Sequence, residues 1–104
     1  MEEHPGVIFR EGPAGRRACL IGGPDVWEVI RSVKSSRVAE PKLSRADLVR
    51  LVTDNTGVPG RLVSLALTYW ATYPQEIDAL VAHADGLEDE ALRAAEKTAE
   101  LLGR

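Results

Sequence analysis

The chain has 104 residues, enough for one domain with a modest core, and its contents of 44% hydrophobic and 28% charged residues are ordinary for a soluble globular protein. It contains no apolar run of membrane-spanning length, and its acidic start does not resemble a signal peptide, so we expect a cytoplasmic protein with no membrane contact. The single cysteine, Cys19, excludes an internal disulfide, and no CxxC or HxxxH spacing indicates a metal site.

The net charge of −3 is distributed unevenly along the chain. Residues 1–72 hold ten Lys and Arg against eight Asp and Glu, whereas residues 73–104 hold three against eight. A mildly basic body with an acidic tail suits a phosphate-facing surface joined to a protein-binding segment. A solvated C-terminal helix with no partner would have the same charge distribution, so charge alone does not assign a function.

Two β-prone runs open the chain, at residues 7–10 and 16–21, and the turn signal at residues 11–15 between them predicts a β-hairpin. Because an isolated hairpin is marginal in water, we expect it to pack on the helices or to pair with another chain. Arg16 and Arg17 would then lie on its exposed side, or would contact phosphate or a protein partner.

A first helix is predicted after the strand break at residues 22–24, because Asp25 followed by Glu28 has the spacing of a capping box. Trp27 falls on the broad apolar face of that helix and is expected to anchor the core. Residues 35–42 have no convincing period, so we expect a flexible connection there.

The stretch from residue 44 to residue 70 has the spacing of a helix-turn-helix. Ser44 followed by Asp47 predicts a capped helix start. Gly57 would end that helix in the left-handed conformation, and Pro59 suits the first position of the next helix. The apolar stripe of this second helix predicts its buried face: Leu62, Val63, Ala66, Tyr69, Trp70 and Tyr73.

The opposite face of the second helix would point into a major groove if the motif binds DNA. From this face and its flanking cations we predict a DNA-contacting set: Arg45, Arg50, Arg61, Ser64, Leu65 and Thr68. Arg37 and Lys42 would add phosphate-positioning charge nearby. The face itself carries one cation, Arg61, beside the apolar Leu65, which favours the alternative of a two-helix corner with no DNA role.

Two further helices are predicted after residue 73. The first would begin at Pro74, and Gly86 would separate it from an alanine-rich helix over residues 87–102. This pattern divides the chain into a hairpin plus helix-turn-helix domain over residues 1–86 and an acidic helical tail over residues 87–104. The tail residues expected to bind a protein partner share one apolar stripe: Leu87, Ala91, Ala95 and Leu102.

The expected fold class is therefore mainly α, with an N-terminal β-hairpin, a three-helix helix-turn-helix core of the homeodomain-like type, and C-terminal helices. No arrangement in the sequence resembles a catalytic centre. His4 and His83 lie far apart, and neither has a neighbouring Cys or Ser that it would activate as a nucleophile. The glycines at 12, 15, 22 and 23 form no phosphate loop. We expect no enzymatic activity and no cofactor.

The order of elements, with Val26-Trp27 at the first helix and a characteristic run over residues 67–78, resembles a small bacterial family called domain of unknown function 433. That run reads Leu-Thr-Tyr-Trp-Ala-Thr-Tyr-Pro-Gln-Glu-Ile-Asp, and the similarity covers about residues 5–80. The family includes VapB-like antitoxins of type II toxin–antitoxin modules. The chain differs from it at Gly22-Gly23-Pro24, where Gly-Thr-Arg is common, and residues 34–43 look like an insertion.

The resemblance implies a hairpin-bearing three-helix domain that binds its own operator and neutralises a PIN-like ribonuclease toxin encoded by the adjacent reading frame. This is our first hypothesis, an antitoxin-type transcription regulator that works as a homodimer because palindromic operators present two half-sites. The second is a protein-binding adaptor or antitoxin whose helix-turn-helix is only a scaffold and dimerisation element. Salt-dependent binding to promoter DNA separates the two.

Overall fold

The computed structural model describes residues 6–12 and 15–103. Within these ranges the chain is mainly helical and carries an N-terminal antiparallel hairpin, which confirms the expected fold class at that level. No helix in the described ranges is both long and apolar enough to cross a bilayer. The elements in chain order are β1 (Val7–Gly12), β2 (Gly15–Leu20), α1 (Val26–Ala39), α2 (Arg45–Thr56), α3 (Gly60–Thr72) and α4 (Pro74–Leu102).

The hairpin packs against the helices mainly through its second strand, with one aromatic contact from the first. Ala18, Cys19 and Leu20 are buried, and the ring of Phe9 meets the ring of Tyr69 on α3 edge-on, with the ring centroids 6.3 Å apart. The predicted hairpin and its packing on helices are thus confirmed, and the tip at residues 13 and 14 lies outside the described residues. This packing gives the two strands the support that a free hairpin lacks.

The core joins β2 to all four helices. Its largest fully buried side chains are Tyr69, Leu20, Ile30, Ile77, Val26, Val29, Val52 and Val63. The stripe predicted for α3 is confirmed at Leu62, Val63, Ala66 and Tyr69, which are buried. Trp70 and Tyr73 are half-buried and pack against the same cluster, as does Trp27, the predicted anchor on α1.

The side chain of Asp25 does not cap α1, so the predicted capping box is wrong. Its carboxylate accepts hydrogen bonds from Cys19 Sγ (3.1 Å) and Trp27 Nε1 (3.2 Å), and it forms an ion pair with Arg17 (Nε–Oδ2 3.1 Å). These partners come from the hairpin and from the side of the helix, and they draw the carboxylate away from the helix N-terminus. Burial, together with the hydrogen bond to the Asp25 carboxylate, raises the pKa of the Cys19 thiol.

The expected flexible connection at residues 35–42 is also wrong, because α1 continues to Ala39. Ser36 is buried in this last turn. After the helix, Nη1 of Arg37 donates to the carbonyl oxygens of Glu40 (3.3 Å), Pro41 (3.1 Å) and Leu43 (2.8 Å). One guanidinium thus orders the whole link to α2, and it does so through backbone acceptors that a side-chain period does not reveal.

The helix α4 runs through Gly86 without interruption, so the predicted break there is wrong. Arg31 on α1 pairs with Asp85 (Nε–Oδ1 2.8 Å) and with Glu88, one residue before Gly86 and two after it. A helical glycine costs only about 1 kcal/mol relative to alanine, which good helix formers on both sides can offset. From Asp85 to Gly103 every residue is exposed, so the second half of α4 extends beyond the packed body.

Candidate nucleic-acid interface

The corner between α2 and α3 is built by one glycine and one hydroxyl. Gly57 has a φ of +78°, and its N–H donates to the carbonyl of Thr53 at 2.8 Å, so it ends α2 as predicted. The hydroxyl of Thr56 donates to the carbonyl of Val52 (2.7 Å) and accepts from the N–H of Val58 (3.1 Å), which is buried. The turn is therefore fixed by local backbone chemistry on both sides of Gly57.

The helix starts around this corner are also set locally. The side chain of Ser44 accepts from the N–H of Asp47 at 3.2 Å, which confirms the predicted cap of α2. Pro59 occupies the N-cap of α3 and not its first helical position, so the predicted start was one residue early. A Cβ built on Gly60 would lie 3.6 Å from Cγ1 of Val49, so the two helices approach closely where α3 begins.

Three of the four α3 residues in the predicted DNA-contacting set share one open face. Arg61, Ser64 and Thr68 are exposed, and the hydroxyl of Thr68 donates to the carbonyl of Ser64 at 3.1 Å. Arg61 makes no ion pair with any residue in the described ranges. Leu65 differs, because it is half-buried, and a Cβ on Gly6 would lie 2.6 Å from its Cδ1. Its side chain therefore packs beneath the start of the hairpin.

The two predicted cations of α2 have different surroundings. Arg45 lines a groove of about 720 Å³ together with Ser64, so the structure brings these two residues of the set to one place. Arg50 is exposed and pairs with Asp47 on its own helix (Nη1–Oδ1 3.5 Å), an exposed contact that solvent weakens. Neither Arg50 nor Thr68 lines that groove. The uncompensated positive charge next to the α3 face thus comes from Arg45 and Arg61.

Two of the hairpin cations, Arg16 and Arg17, contact other side chains of the same chain. The guanidinium of Arg16 lies over the ring of Phe9, with Cζ 4.0 Å from the ring centroid, and Arg17 pairs with Asp25. Arg10 faces Arg17 across the two strands, where like charges repel, and the ion pair of Arg17 with Asp25 relieves this repulsion. Arg16 is exposed and could still contact phosphate, as the sequence suggested.

The second half of α4 leaves all four predicted partner-binding residues uncovered. Leu87 is 54% exposed and Leu102 is 79% exposed, and Ala91 and Ala95 between them are exposed as well. Successive members of this set are four, four and seven residues apart, which places them on one side of the helix. A single chain therefore presents this apolar stripe to whatever binds it.

The sequence did not predict an apolar groove bounded by α1, α2 and α3, which we call the α1–α3 groove. Its volume is about 460 Å³, and its lining residues are Ile30, Val33, Lys34, Arg37, Val38, Leu48, Leu67 and Trp70. It adjoins the groove that holds Arg45 and Ser64, since Val33, Leu48 and Leu67 line both. The sequence signal was weak, because Leu67 falls just outside the buried stripe and Val38 lies in the segment expected to be flexible.

In the part of the chain that the structure describes, the open α2–α3 face is polar, whereas the α1–α3 groove and the stripe on α4 are apolar. Among those residues, no group of three or more His, Cys, Asp or Glu side chains is placed to hold a metal ion. The α2–α3 face offers hydroxyls and guanidinium groups, which donate hydrogen bonds to phosphates and base edges. Comparison of the chain with protein-family models, with curated proteins and with solved structures finds no match.

Proposed function

We propose that this protein is an antitoxin-type regulator, which binds its own operator through a helix-turn-helix formed by α2 and α3 and neutralises a PIN-like ribonuclease toxin through the second half of α4. The observation that carries the proposal is the corner at Gly57, which leaves Arg61, Ser64 and Thr68 together on the open side of α3. A second helix presented in this way is the element that enters the major groove in helix-turn-helix proteins. With α1, the two helices would form the three-helix core of a homeodomain-like domain.

The side chains of this face and its flanks suit two roles on DNA, contact with the phosphate backbone and contact with base edges. Arg61 lies in the first turn of α3, where the helix dipole adds to its attraction for phosphate. Arg45 and Arg50 on α2 would contact the backbone and set the register, and the hydroxyls of Ser64 and Thr68 can reach base edges. Leu65, half-buried under the hairpin, would contribute to the position of α3 more than to base contact.

The second half of α4 suits a ribonuclease partner by shape and by charge. Its apolar stripe is uncovered, and Glu88, Asp89 and Glu90 lie beside the start of that stripe. Amphipathic helices commonly bind by laying their apolar face into a groove of the partner. An enzyme that binds RNA needs a positively charged cleft, so an acidic helix would be drawn to that cleft and would exclude RNA from it.

One observation favours the alternative of a protein-binding adaptor or antitoxin that binds no DNA. The open face of α3 carries one cation, Arg61, and the neighbouring α1–α3 groove is apolar. In this second hypothesis the α2–α3 corner is a scaffold and dimerisation element. Affinity for DNA would then be weak and would not differ between the protein's own promoter and unrelated DNA.

The test is a binding titration with the DNA upstream of the protein's own reading frame, repeated over a series of salt concentrations, with scrambled DNA of equal length as the control. We expect tighter binding to the upstream DNA than to the scrambled DNA. The logarithm of the binding constant should fall linearly with the logarithm of the salt concentration, because phosphate contacts release counterions. If the protein does not bind the upstream DNA at low salt, the alternative of a protein-binding adaptor or antitoxin holds. Co-expression with the product of the adjacent reading frame, and purification through a tag on one partner, tests the toxin contact separately.

A further inference from the structure

The α1–α3 groove exposes apolar side chains that the other described residues of the chain leave uncovered. Val38 on its α1 side is 83% exposed, and Leu67 and Trp70 on its α3 side are only partly covered. The groove continues into the neighbouring one that holds Arg45. Together they form an apolar trough along the body of the domain. Contiguous apolar surface of this kind commonly marks a site of protein association.

The trough carries positive charge. Arg37 lines the trough, and its guanidinium donates hydrogen bonds to backbone carbonyls. Its positive charge therefore has no acidic partner among the described residues. Arg45 likewise makes no ion pair within those ranges. Lys34 is partly compensated, because its Nζ lies 2.7 Å from Oδ1 of Asp78. A ligand suited to this trough would therefore be apolar on one side and acidic on its flanks.

The second half of α4 has this chemistry. Residues 87–103 carry five acidic side chains against Arg93 and Lys97, and all of them are exposed. The apolar stripe from Leu87 to Leu102 extends for about 24 Å of helix, at about 1.5 Å of rise per residue, and Glu88 and Glu90 flank its first turn. Since α4 continues through Gly86 without a break, a tail cannot fold back onto the trough of its own chain.

We propose that two copies of this chain exchange tails, so that residues 87–102 of each copy lie in the α1–α3 groove of the other. The exchange has twofold symmetry and forms the same contact twice, which doubles the area buried by one helix in one groove. Direct packing of groove against groove would instead bring Arg37 and Lys34 near their symmetry mates, where like charges repel. The exchanged dimer requires neither DNA nor a toxin, and a partner that binds the tail stripe would release it.

The first test measures the dimer dissociation constant of the full chain by sedimentation equilibrium. Leu87→Glu on the tail stripe and Val38→Glu on the groove should each weaken the dimer by at least about tenfold, because each places a carboxylate in an apolar contact. Leu92→Glu is the matched control, since Leu92 is 57% exposed against 54% for Leu87 but lies about 140° around the helix at 3.6 residues per turn. It should leave the constant within about twofold. All three positions are exposed in a single chain, so at concentrations below the dimer dissociation constant their melting curves should match that of the parent.

The second test identifies which surfaces meet. Chains carrying Val38→Cys and chains carrying Ala95→Cys, distinguished by a tag, are mixed and treated with a short bismaleimide. Cys19 is 2% exposed and should not react. We expect cross-links between the two kinds of chain and few within either kind. The proposal is overturned if the parent stays monomeric at all accessible concentrations, if Leu92→Glu dissociates the dimer as strongly as Leu87→Glu, or if only Val38→Cys chains cross-link with each other.

Discussion

Trp70 donates its indole N–H to the carboxylate of Asp78 at 2.8 Å, and this bond ties α3 to α4 just after the Tyr73-Pro74 junction. The same oxygen, Oδ1, accepts from Nζ of Lys34 at 2.7 Å, so α1 joins the contact as well. Lys34 also lies 5.9 Å from the centroid of the Trp70 ring. Side chains from three helices thus meet at the Asp78 carboxylate. The hydrogen bond from Lys34 is the largest cause that lowers the pKa of this carboxyl, and the hydrogen bond from the Trp70 indole is the next.

The lowered pKa of Asp78 predicts how stability depends on pH. A carboxyl whose folded pKa is below its unfolded value stabilises the fold above the unfolded pKa, and this contribution is lost as the pH falls through the folded pKa. Asp78→Ala should therefore lower the melting temperature at neutral pH, and its deficit relative to the parent should shrink as the pH falls below the ordinary aspartate pKa of about 3.9. The effect should be small, because the pair is partly exposed and screened by solvent.

Thermal melts from pH 7 down to pH 2.5 check this prediction, with Asp89→Ala as the control. Asp89 is exposed and has no hydrogen bond or ion pair among the described residues, so its removal should not change the melting temperature in the same way. A deficit for Asp78→Ala that stays constant over the whole range would show that the carboxylate stabilises the fold by packing and not by its charge.

Gly57→Ala should destabilise the fold by about 1–2 kcal/mol, because alanine pays the steric cost of the left-handed conformation. The space around Gly57 is open, so no clash adds to that cost. Gly86→Ala is the matched substitution of opposite sign, since Gly86 lies inside a helix and its surroundings are open too. It should stabilise α4 by about 0.5–1 kcal/mol. Urea denaturation measures both, and a destabilising Gly86→Ala would contradict a continuous α4.

Arg61→Ala should weaken binding to the operator by about 1–3 kcal/mol and should leave the melting temperature unchanged, because Arg61 is exposed and unpaired within the described chain. If Arg61 contacts phosphate, its loss should reduce the slope of the logarithm of the binding constant against the logarithm of the salt concentration by about 1. Arg93→Ala in the tail is the control and should bind as the parent does. Equal binding by Arg61→Ala would move the DNA contact elsewhere, most readily to Arg16 on the hairpin.

A chain that ends at Gly86 should still fold, with nearly the melting temperature of the monomeric parent, because residues 87–103 are exposed in a single chain. On DNA that carries a single half-site, where dimerisation does not contribute, it should bind as tightly or slightly more tightly, since the loss of five acidic side chains reduces repulsion from phosphate. Binding of the toxin partner, measured by pull-down, should fall sharply. If the truncated chain unfolds, then the pairing of Arg31 with Glu88 and the last turns of α4 are integral to the domain.

The features predicted correctly from the sequence are those that depend on neighbouring residues. Gly57 ends α2 and Ser44 caps it through contacts within four residues, so a local pattern suffices to find them. The buried face of α3 follows from helical spacing, and Leu62, Val63 and Ala66 are buried as expected. The exposed face of the predicted site follows from the same spacing, which explains why Arg61, Ser64 and Thr68 also lie where they were predicted.

The errors arose where a distant partner or a weak signal decided the outcome. Asp25 had the sequence of a cap, but Cys19 and Arg17 on the hairpin draw its side chain away. The free-energy cost of one glycine, Gly86, was too small to end a helix, because the residues on both sides of it are good helix formers. The α1–α3 groove depends on how α1 and α3 cross, and no pattern within one helix contains that information.

The uneven cover of α4 means that one continuous helix contains two regions of different stability. Its first turns bury Ile77 and Val81, whereas residues 85–102 are exposed in the part of the chain that the structure describes. Arg31 pairs with Asp85 and Glu88 at the start of this segment, but a helix of that length with so little tertiary support is marginal in water. Backbone amides should therefore exchange with deuterium slowly near Ile77 and progressively faster towards Leu102. Any partner that occupies the stripe would slow exchange over the outer turns first, so the amides of α4 would record, turn by turn, how far along the helix that partner reaches.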